Sequence, residues 1–187
     1  MDPFEILGLP RRYDLDMKAA EKAHRELSRA LHPDRYAGAG ASERRDALTK
    51  AADVNEAWRV VRDPVRRAEA LISLAGVEVG DDKEPKPDPE LLMEVLDKRE
   101  ALADAKASRD LGKVRALSEE MEARKSKAEA VLARELGEAF SSATGPSLRS
   151  GVRLDSARAA LPKLGELRFF RRFLEEASAI EEELAGP

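Results

Sequence analysis

Residues 25–36 read RELSRALHPDRY and predict the end of a helix followed by a stiff polar loop. The helical pattern before this point begins at Asp14 or Asp16. Because proline disfavours helical geometry in the residue before it, the helix is expected to end near Leu31. Pro33 fixes its own φ, so the loop His32-Pro33-Asp34 has little conformational freedom.

The helix before this loop has two opposed faces. Its basic residues recur at spacings of four, three and four, which at about 100° per residue places them on one side. They are Lys18, Lys22, Arg25 and Arg29, called the basic stripe below. Apolar residues occupy the other side: Ala20, Ala23, Leu27 and Leu31. A solvated charged face is the ordinary explanation, but the tripeptide His32-Pro33-Asp34 at its end favours a functional role for this face.

The loop residues have chemistry that suits docking. Asp34 can accept a charge-assisted hydrogen bond from an arginine of a partner, and His32 offers a polar edge. The alternative for His32 is a purely structural role, in which it complements the dipole at the end of the helix. His24 lies at the flank of the packing face and is predicted to be structural. Trp58 is predicted to lie in the core, on a stripe with Leu48, Ala51, Asn55 and Val61.

Further helices are predicted on both sides of this loop. Asp2-Pro3 opens a short first helix that Gly8 ends, since aspartate caps helices and proline fits their first position. After the loop, the predicted helices run from Ser42 or Glu43 to about Arg62, and from Pro64 to Ala75. No run of alternating β-branched residues competes with these helices, so the fold class is all-α.

A change of composition marks a predicted domain boundary. The segment GDDKEPKP at residues 80–87 is charged, aperiodic and rich in proline, as is typical of a linker. We predict a domain at 1–76, a linker at 77–87 and an antiparallel three-helix bundle at 88–187. Its helices are expected from Asp88 to about Arg109, from Asp110 to Phe140 and from Asp155 to Leu184. Pro162 either kinks the last helix or lies close to its true start.

The helix that begins near Asp88 has more apolar surface than one packing seam requires. Leu91, Val95 and Leu102 form one sector. Three further residues, Leu92, Met93 and Leu96, widen the arc to about 200°, whereas an ordinary surface helix needs little more than about 100°. Either two other helices enclose this helix, or the extra apolar residues bind a partner protein.

Composition argues against several classes of function. The chain has 187 residues, 4% aromatic residues, a net charge of −4 and no cysteine. Disulfides, thiolate metal sites and cysteine nucleophiles are therefore excluded in this chain, and we expect no cofactor and no metal. The net charge argues against nucleic-acid binding. No apolar run approaches the roughly 20 residues of a membrane helix, and the N-terminus lacks a signal pattern, so a cytoplasmic protein is expected.

Two motifs at a fixed distance resemble the J domain. The first is RELSRALHPDRY at 25–36, and the second is AADVNEAWRVVRDP at 51–64. The resemblance implies a helical hairpin whose loop engages a DnaK/HscA-type chaperone ATPase and accelerates ATP hydrolysis there; the chain would be no enzyme itself. The residues implied in binding that ATPase are Lys18, Lys22, Arg25, Arg29, His32, Pro33, Asp34 and Arg35.

Four further stretches resemble the HscB family of iron–sulfur co-chaperones. They are FEILGLPRRY at 4–13, PVRRAEALISL at 64–74, LLMEVLDKRE at 91–100 and LRFF at 167–170. The resemblance implies that the C-terminal bundle binds an IscU-like iron–sulfur cluster scaffold protein through an apolar patch with an acidic rim. The implied residues are Leu92, Met93, Leu96 and Phe169, with Asp97 and Glu100 on the rim.

Three rival functions remain open at this point. A J-domain co-chaperone could serve a different client of a general DnaK-type chaperone. An enzyme is disfavoured because neither a Gly-rich phosphate loop nor a recognisable acid–base pair occurs. A nucleic-acid binder that uses the basic stripe is disfavoured by the net charge and the scarcity of aromatic residues.

Overall fold

The computed structural model describes residues 1–80, 89–141 and 153–186, and these ranges contain helices but no strand. The elements are α1 (Pro3–Ile6), α2 (Met17–Ala30), a 3-10 turn (Pro33–Tyr36), α3 (Ala41–Arg62), α4 (Pro64–Leu74), α5 (Pro89–Ala107), α6 (Leu111–Phe140), α7 (Leu154–Ala159) and α8 (Leu161–Ala185). The all-α prediction is confirmed: an N-terminal helical hairpin is followed by a helical C-terminal bundle.

Aspartates cap the helices where the sequence places them. The carboxylates of Asp2, Asp16, Asp63 and Asp110 accept hydrogen bonds from backbone N–H groups of the first turns of α1, α2, α4 and α6. Such caps satisfy donors that have no partner inside the helix. Asp16, rather than Asp14, therefore starts α2.

Helices α2 and α3 form a hairpin, and the 3-10 turn lies at its tip. Ala20 is buried in the hairpin, and Leu27 and Leu31 pack against the same apolar cluster. Farther along, the His24 ring stacks on Trp58, with ring centroids 5.0 Å apart and an interplanar angle of 9°. Nε2 of His24 also lies 3.2 Å from Oδ1 of Asn55, across the hairpin.

The predicted packing stripe of α3 is confirmed at Val61 but wrong at Leu48 and Asn55, which are exposed. Leu48 is 55% exposed, and Trp58 is only partly buried. The residues of α3 that are buried are Ala47, Val54, Ala57 and Val61. Small side chains allow neighbouring helices to approach closely, so alanines occupy the contact while the larger leucine stays outside.

The three long helices α5, α6 and α8 form the C-terminal bundle. Its cluster contains Leu102, Val114, Met121, Phe170 and Phe173, all at most 1% exposed. The predicted last helix is divided at Ala160 into α7 and α8, and Pro162 lies in the first turn of α8. This settles the open question about Pro162: the proline lies near a helix start, where its missing N–H costs no hydrogen bond.

Helix α4 joins the hairpin to the bundle. It contacts α3 on one side and α6, α7 and α8 on the other. Its buried residues Val65, Ala68, Leu71 and Ile72 belong to one apolar cluster with residues of both halves, such as Phe4 and Leu164. Val77, the first residue of the predicted linker, is buried in this cluster as well, whereas residues 81–87 of that linker lie outside the described ranges.

A buried arginine strengthens the contact of α4 with the N-terminal segment. Arg67 is 7% exposed, and its Nη1 donates a hydrogen bond to the Tyr13 carbonyl oxygen at 3.0 Å. Its guanidinium carbon lies 4.9 Å from the centroid of the Tyr13 ring. Burial raises the pKa of Tyr13 strongly, and the negative charge of Glu129 on α6 adds to the increase. The Tyr13 hydroxyl has no hydrogen-bond partner among the described residues.

Candidate docking surfaces

The tip of the α2–α3 hairpin presents three consecutive exposed residues, His32, Pro33 and Asp34, called the HPD tip below. The backbone N–H of Asp34 donates to Nδ1 of His32 at 3.3 Å, so the histidine caps the 3-10 turn. In a neutral ring that accepts at Nδ1, the proton is on Nε2, which is left as a donor. The Asp34 side chain is 89% exposed, and its carboxylate can accept hydrogen bonds from a partner.

The basic stripe lies fully on the solvent side of α2, as predicted. Lys18, Lys22, Arg25 and Arg29 are all exposed, and Arg35 continues the positive charge into the 3-10 turn. Arg25 pairs with Glu21 at 3.1 Å and Lys22 lies 3.9 Å from Glu26, both within α2. Among the described residues, Lys18, Arg29 and Arg35 form no ion pair, so their charge is available to a partner.

The first turns of α5 expose a second surface of different chemistry. Leu92, Met93 and Leu96, called the α5 patch below, are 51%, 68% and 59% exposed. Farther along the same helix, Leu102 is 1% exposed and packs in the bundle. The question left open by the sequence is thereby answered: no helix of the described ranges encloses this part of α5.

The predicted rim residues and the predicted aromatic residue differ in exposure. Asp97 and Glu100 are exposed on α5. Phe169 on α8 is partly buried and packs against the bundle cluster, with its ring 6.1 Å from that of Phe173. The preference for Phe169 over Phe170 agrees with burial, because Phe170 is 1% exposed and unavailable to a partner.

Arg124 on α6 was not singled out from the sequence, yet it fixes the start of α5 against the other helices. Its guanidinium forms an ion pair with Glu94 and lies 5.6 Å from the centroid of the Phe170 ring. These contacts connect the turn of α5 that contains Glu94 to Phe170 on α8 through Arg124. An acidic residue of α5 and a basic residue of α6 were visible in sequence, but nothing local indicated that they meet.

Other kinds of site find little support in the described part of the chain. Within residues 1–80, 89–141 and 153–186, no three His, Asp or Glu side chains are grouped so that they could hold a metal ion. Among the same residues, no helix combines the length and apolar character that a membrane crossing requires.

Two family models match consecutive parts of the chain. The model of the DnaJ domain matches residues 2–70, and the model of the HSCB C-terminal oligomerisation domain matches residues 87–178. The first contains the basic stripe and the HPD tip, and the second contains the α5 patch and Phe169.

Individual relatives match large parts of the chain. A co-chaperone protein HscB homolog of Cupriavidus taiwanensis is 38% identical over 148 residues, which cover 79% of this chain and 84% of the relative. Another, of Bordetella pertussis, is 44% identical over 121 residues, covering 65% and 70%.

Solved structures match over nearly the whole chain. Chaperone HscB from Vibrio cholerae matches 98% of this chain and 99% of its own, with a TM-score of 0.76 at 30% identity. Human co-chaperone HscB shares the fold, with a TM-score of 0.78 at 18% identity over 96% and 81%. Because curated relatives match across both domains and most of both chains, this chain belongs to the HscB family of co-chaperones.

Proposed function

We propose that this co-chaperone stimulates the ATPase of a DnaK/HscA-type chaperone through the HPD tip and the basic stripe, and that it delivers an IscU-like iron–sulfur cluster scaffold protein through the α5 patch. The observation that supports this proposal best is the presence of two exposed surfaces of opposite chemistry on separate helices. One surface is charged and ends in a stiff turn, and the other is apolar. One chain can therefore hold two different proteins at the same time.

The HPD tip is the contact through which this chain changes the conformation of the ATPase. Pro33 restricts the turn, so little conformational freedom is lost when a partner binds. Asp34 accepts a charge-assisted hydrogen bond from a partner arginine, and His32 donates from Nε2. The chain supplies no catalytic group; it changes the conformation of the ATPase, which hydrolyses ATP with its own residues.

The basic stripe guides the encounter. Four exposed positive charges on one helix face attract an acidic surface and orient it toward the HPD tip. This contribution acts mainly on the association rate, and it weakens with salt because exposed charges are screened over about 10 Å at 0.1 M.

The α5 patch provides the binding energy for the scaffold. Exposed leucine and methionine side chains lose their contact with water when a partner covers them, which is worth about 25 cal/mol per Å² of apolar surface. Methionine adapts its shape to the partner, and Asp97 and Glu100 favour basic residues around the apolar centre. We place this activity in the cytoplasm, since the proposed partner consumes ATP.

The test is a titration of this chain into a DnaK-type ATPase, with and without an IscU-like scaffold, under steady-state conditions. The expected result is stimulation by the chain alone and a larger stimulation when the scaffold is present. Stimulation that does not respond to the scaffold would contradict the scaffold half of the proposal and favour another client. No stimulation of any DnaK-type chaperone would contradict its central half.

A further inference from the structure

Two ion pairs join the helix that carries Phe169 to the helix that follows the J-domain hairpin. Oε1 of Glu69 on α4 accepts from Nη2 of Arg168 at 2.7 Å and from Nε at 3.1 Å. Three residues later, Nη1 of Arg171 lies 3.4 Å from Oδ2 of Asp63. Residues three apart share a helix face, so both arginines are directed from α8 toward α4.

The Arg168–Glu69 pair differs from the surface pairs of the chain in burial and span. The Arg168 side chain is 15% exposed, whereas Arg25 and Glu21 are each at least half exposed and pair within one helix. The partners Arg168 and Glu69 are 99 residues apart in the sequence. A partly buried ion pair with more than one hydrogen bond fixes the relative position of the two helices that it joins. An exposed pair with one hydrogen bond contributes little to stability.

Asp63 has two roles at one point of the chain. Its Oδ1 accepts hydrogen bonds from the backbone N–H groups of Val65 and Arg66 and so caps α4. Its Oδ2 faces Arg171 of the bundle. Asp63 also directly follows the last residue of α3, the helix that leads back to the HPD tip. The bundle is thus attached to the start of α4, close to the end of the hairpin.

Consecutive residues of α8 face the two halves of the molecule. Arg168 binds Glu69 on α4, and Phe169 packs against the bundle cluster. In the proposed function Phe169 belongs to the scaffold-binding surface, so that surface and the ion pair to α4 share one turn of α8.

From this arrangement we propose that Arg168 and Arg171 are positioning residues, which hold the J domain and the scaffold-binding surface at a fixed separation and angle. This inference rests on the proposed function. When one chain binds two proteins, their effective concentration toward each other is highest if the distance between the two binding sites is fixed at the value that lets them meet. It falls if the two sites move independently. The two arginines therefore determine the extra ATPase stimulation that the scaffold causes. They do not affect the binding of the chaperone alone or of the scaffold alone.

The test uses a charge reversal and its repair. Arg168→Glu places two acids together; Arg168→Glu with Glu69→Arg restores an ion pair in the opposite sense. Arg172→Glu is the matched control, since Arg172 is exposed on the same helix and forms no ion pair with any described residue. Scaffold affinity and stimulation without scaffold should equal those of the wild type in all variants.

The scaffold-dependent stimulation should separate the variants. Coupling between two sites is commonly 5–150-fold, and we expect Arg168→Glu to reduce the scaffold-dependent part at least about fivefold. The repaired double variant and Arg172→Glu should keep it. If Arg168→Glu keeps full stimulation, or if the double variant fails to restore it, the proposal is wrong. Loss of scaffold affinity in Arg168→Glu would also contradict it, since Arg168 would then serve the patch directly.

A second measurement is independent of both partners. The chain has no cysteine, so Ser42→Cys and Ser126→Cys introduce two unique labelling sites, one in each half. Double electron–electron resonance measures the distance between spin labels at these two positions. The distances should be narrowly distributed in the wild type and in the charge-swapped double variant, and broadly distributed in Arg168→Glu. An unchanged distance distribution in Arg168→Glu overturns the inference, even if the ATPase assay gives no result. Should Arg168→Glu not fold, Glu69→Gln must broaden the distribution.

Discussion

The HPD tip and the α5 patch are both exposed, but they differ in what exposure means. The residues of the tip are polar, so exposure carries no solvation penalty and gives no sign of function. Leu92, Met93 and Leu96 are apolar and more than half exposed, which costs free energy unless a partner covers them. A charged site is therefore identified by its motif, whereas an apolar site is identified by the structure.

The largest expected effect is on the tip. His32→Gln removes the imidazole that caps the 3-10 turn and faces solvent, so stimulation of the ATPase should be lost entirely. Because His32 is exposed and caps only a four-residue turn, the free energy of unfolding should fall by no more than about 1 kcal/mol. Steady-state ATP hydrolysis and a melting curve are the measurements. Retained stimulation would show that the tip is not the contact.

The α5 patch can be tested against a residue of the same helix. Leu92→Ala with Leu96→Ala should weaken scaffold binding by a few kcal/mol and leave the melting temperature unchanged. Leu102→Ala should do the reverse: it creates a cavity in the bundle and lowers stability by about 2–5 kcal/mol. Calorimetric titration with the scaffold and thermal denaturation distinguish the two. If the double variant melts early instead, the patch belongs to the core.

A smaller effect is expected for the basic stripe. Arg29 forms no ion pair with an acidic residue in the described part of the chain. Arg29→Gln removes its positive charge, so the association rate with the chaperone should fall a few-fold at low salt. The difference should disappear near 1 M salt, where charges are screened over about 3 Å. Stopped-flow association rates provide the test, and Arg172→Gln, with the same charge change on the bundle, should have no effect.

The smallest effect concerns the contact between the two halves. Tyr13→Phe removes a buried hydroxyl that has no partner among the described residues, so stability at neutral pH should stay equal or rise by about 1 kcal/mol. Urea denaturation of both proteins at pH 7 gives this difference directly. A clear loss of stability would indicate that the hydroxyl is bonded.

The pH dependence of the same variant has a defined sign. The pKa of Tyr13 is raised in the folded state, first by burial and second by Glu129. The folded protein thus holds this proton more tightly than the unfolded chain does. Above pH 10, the wild type should lose up to about 1.4 kcal/mol per pH unit more than Tyr13→Phe, because only the unfolded chain releases this proton. Parallel alkaline curves would contradict the assignment.

The sequence predicts the helices well because their ends depend on local chemistry. Asp2, Asp16, Asp63 and Asp110 cap the first turns of helices that follow them within one or two residues, and Gly8 and Gly76 end two others with φ of 65° and 87°. The HPD tip is predictable for the same reason, since proline and its neighbours determine the turn.

Contacts between distant helices were less predictable. Helical spacing predicts a stripe through Leu48, whereas the helix contacts in the structure bury Ala47 and Ala57 and leave Leu48 exposed. Phe173 is buried in the bundle but was not singled out. Neither the Arg168–Glu69 pair nor the Arg67–Tyr13 contact leaves a local pattern, since each partner alone is an ordinary helix residue.

The stack of His24 on Trp58 gives the protein a built-in optical probe. Trp58 is the chain's one tryptophan, and it lies in the α2–α3 hairpin, far along the sequence from the bundle. Its emission therefore reports the loss of the hairpin alone, whereas far-ultraviolet circular dichroism reports all helices together. Coincident unfolding curves from the two signals would mean that α4 makes both halves unfold as one cooperative unit; separate curves would give each half its own stability.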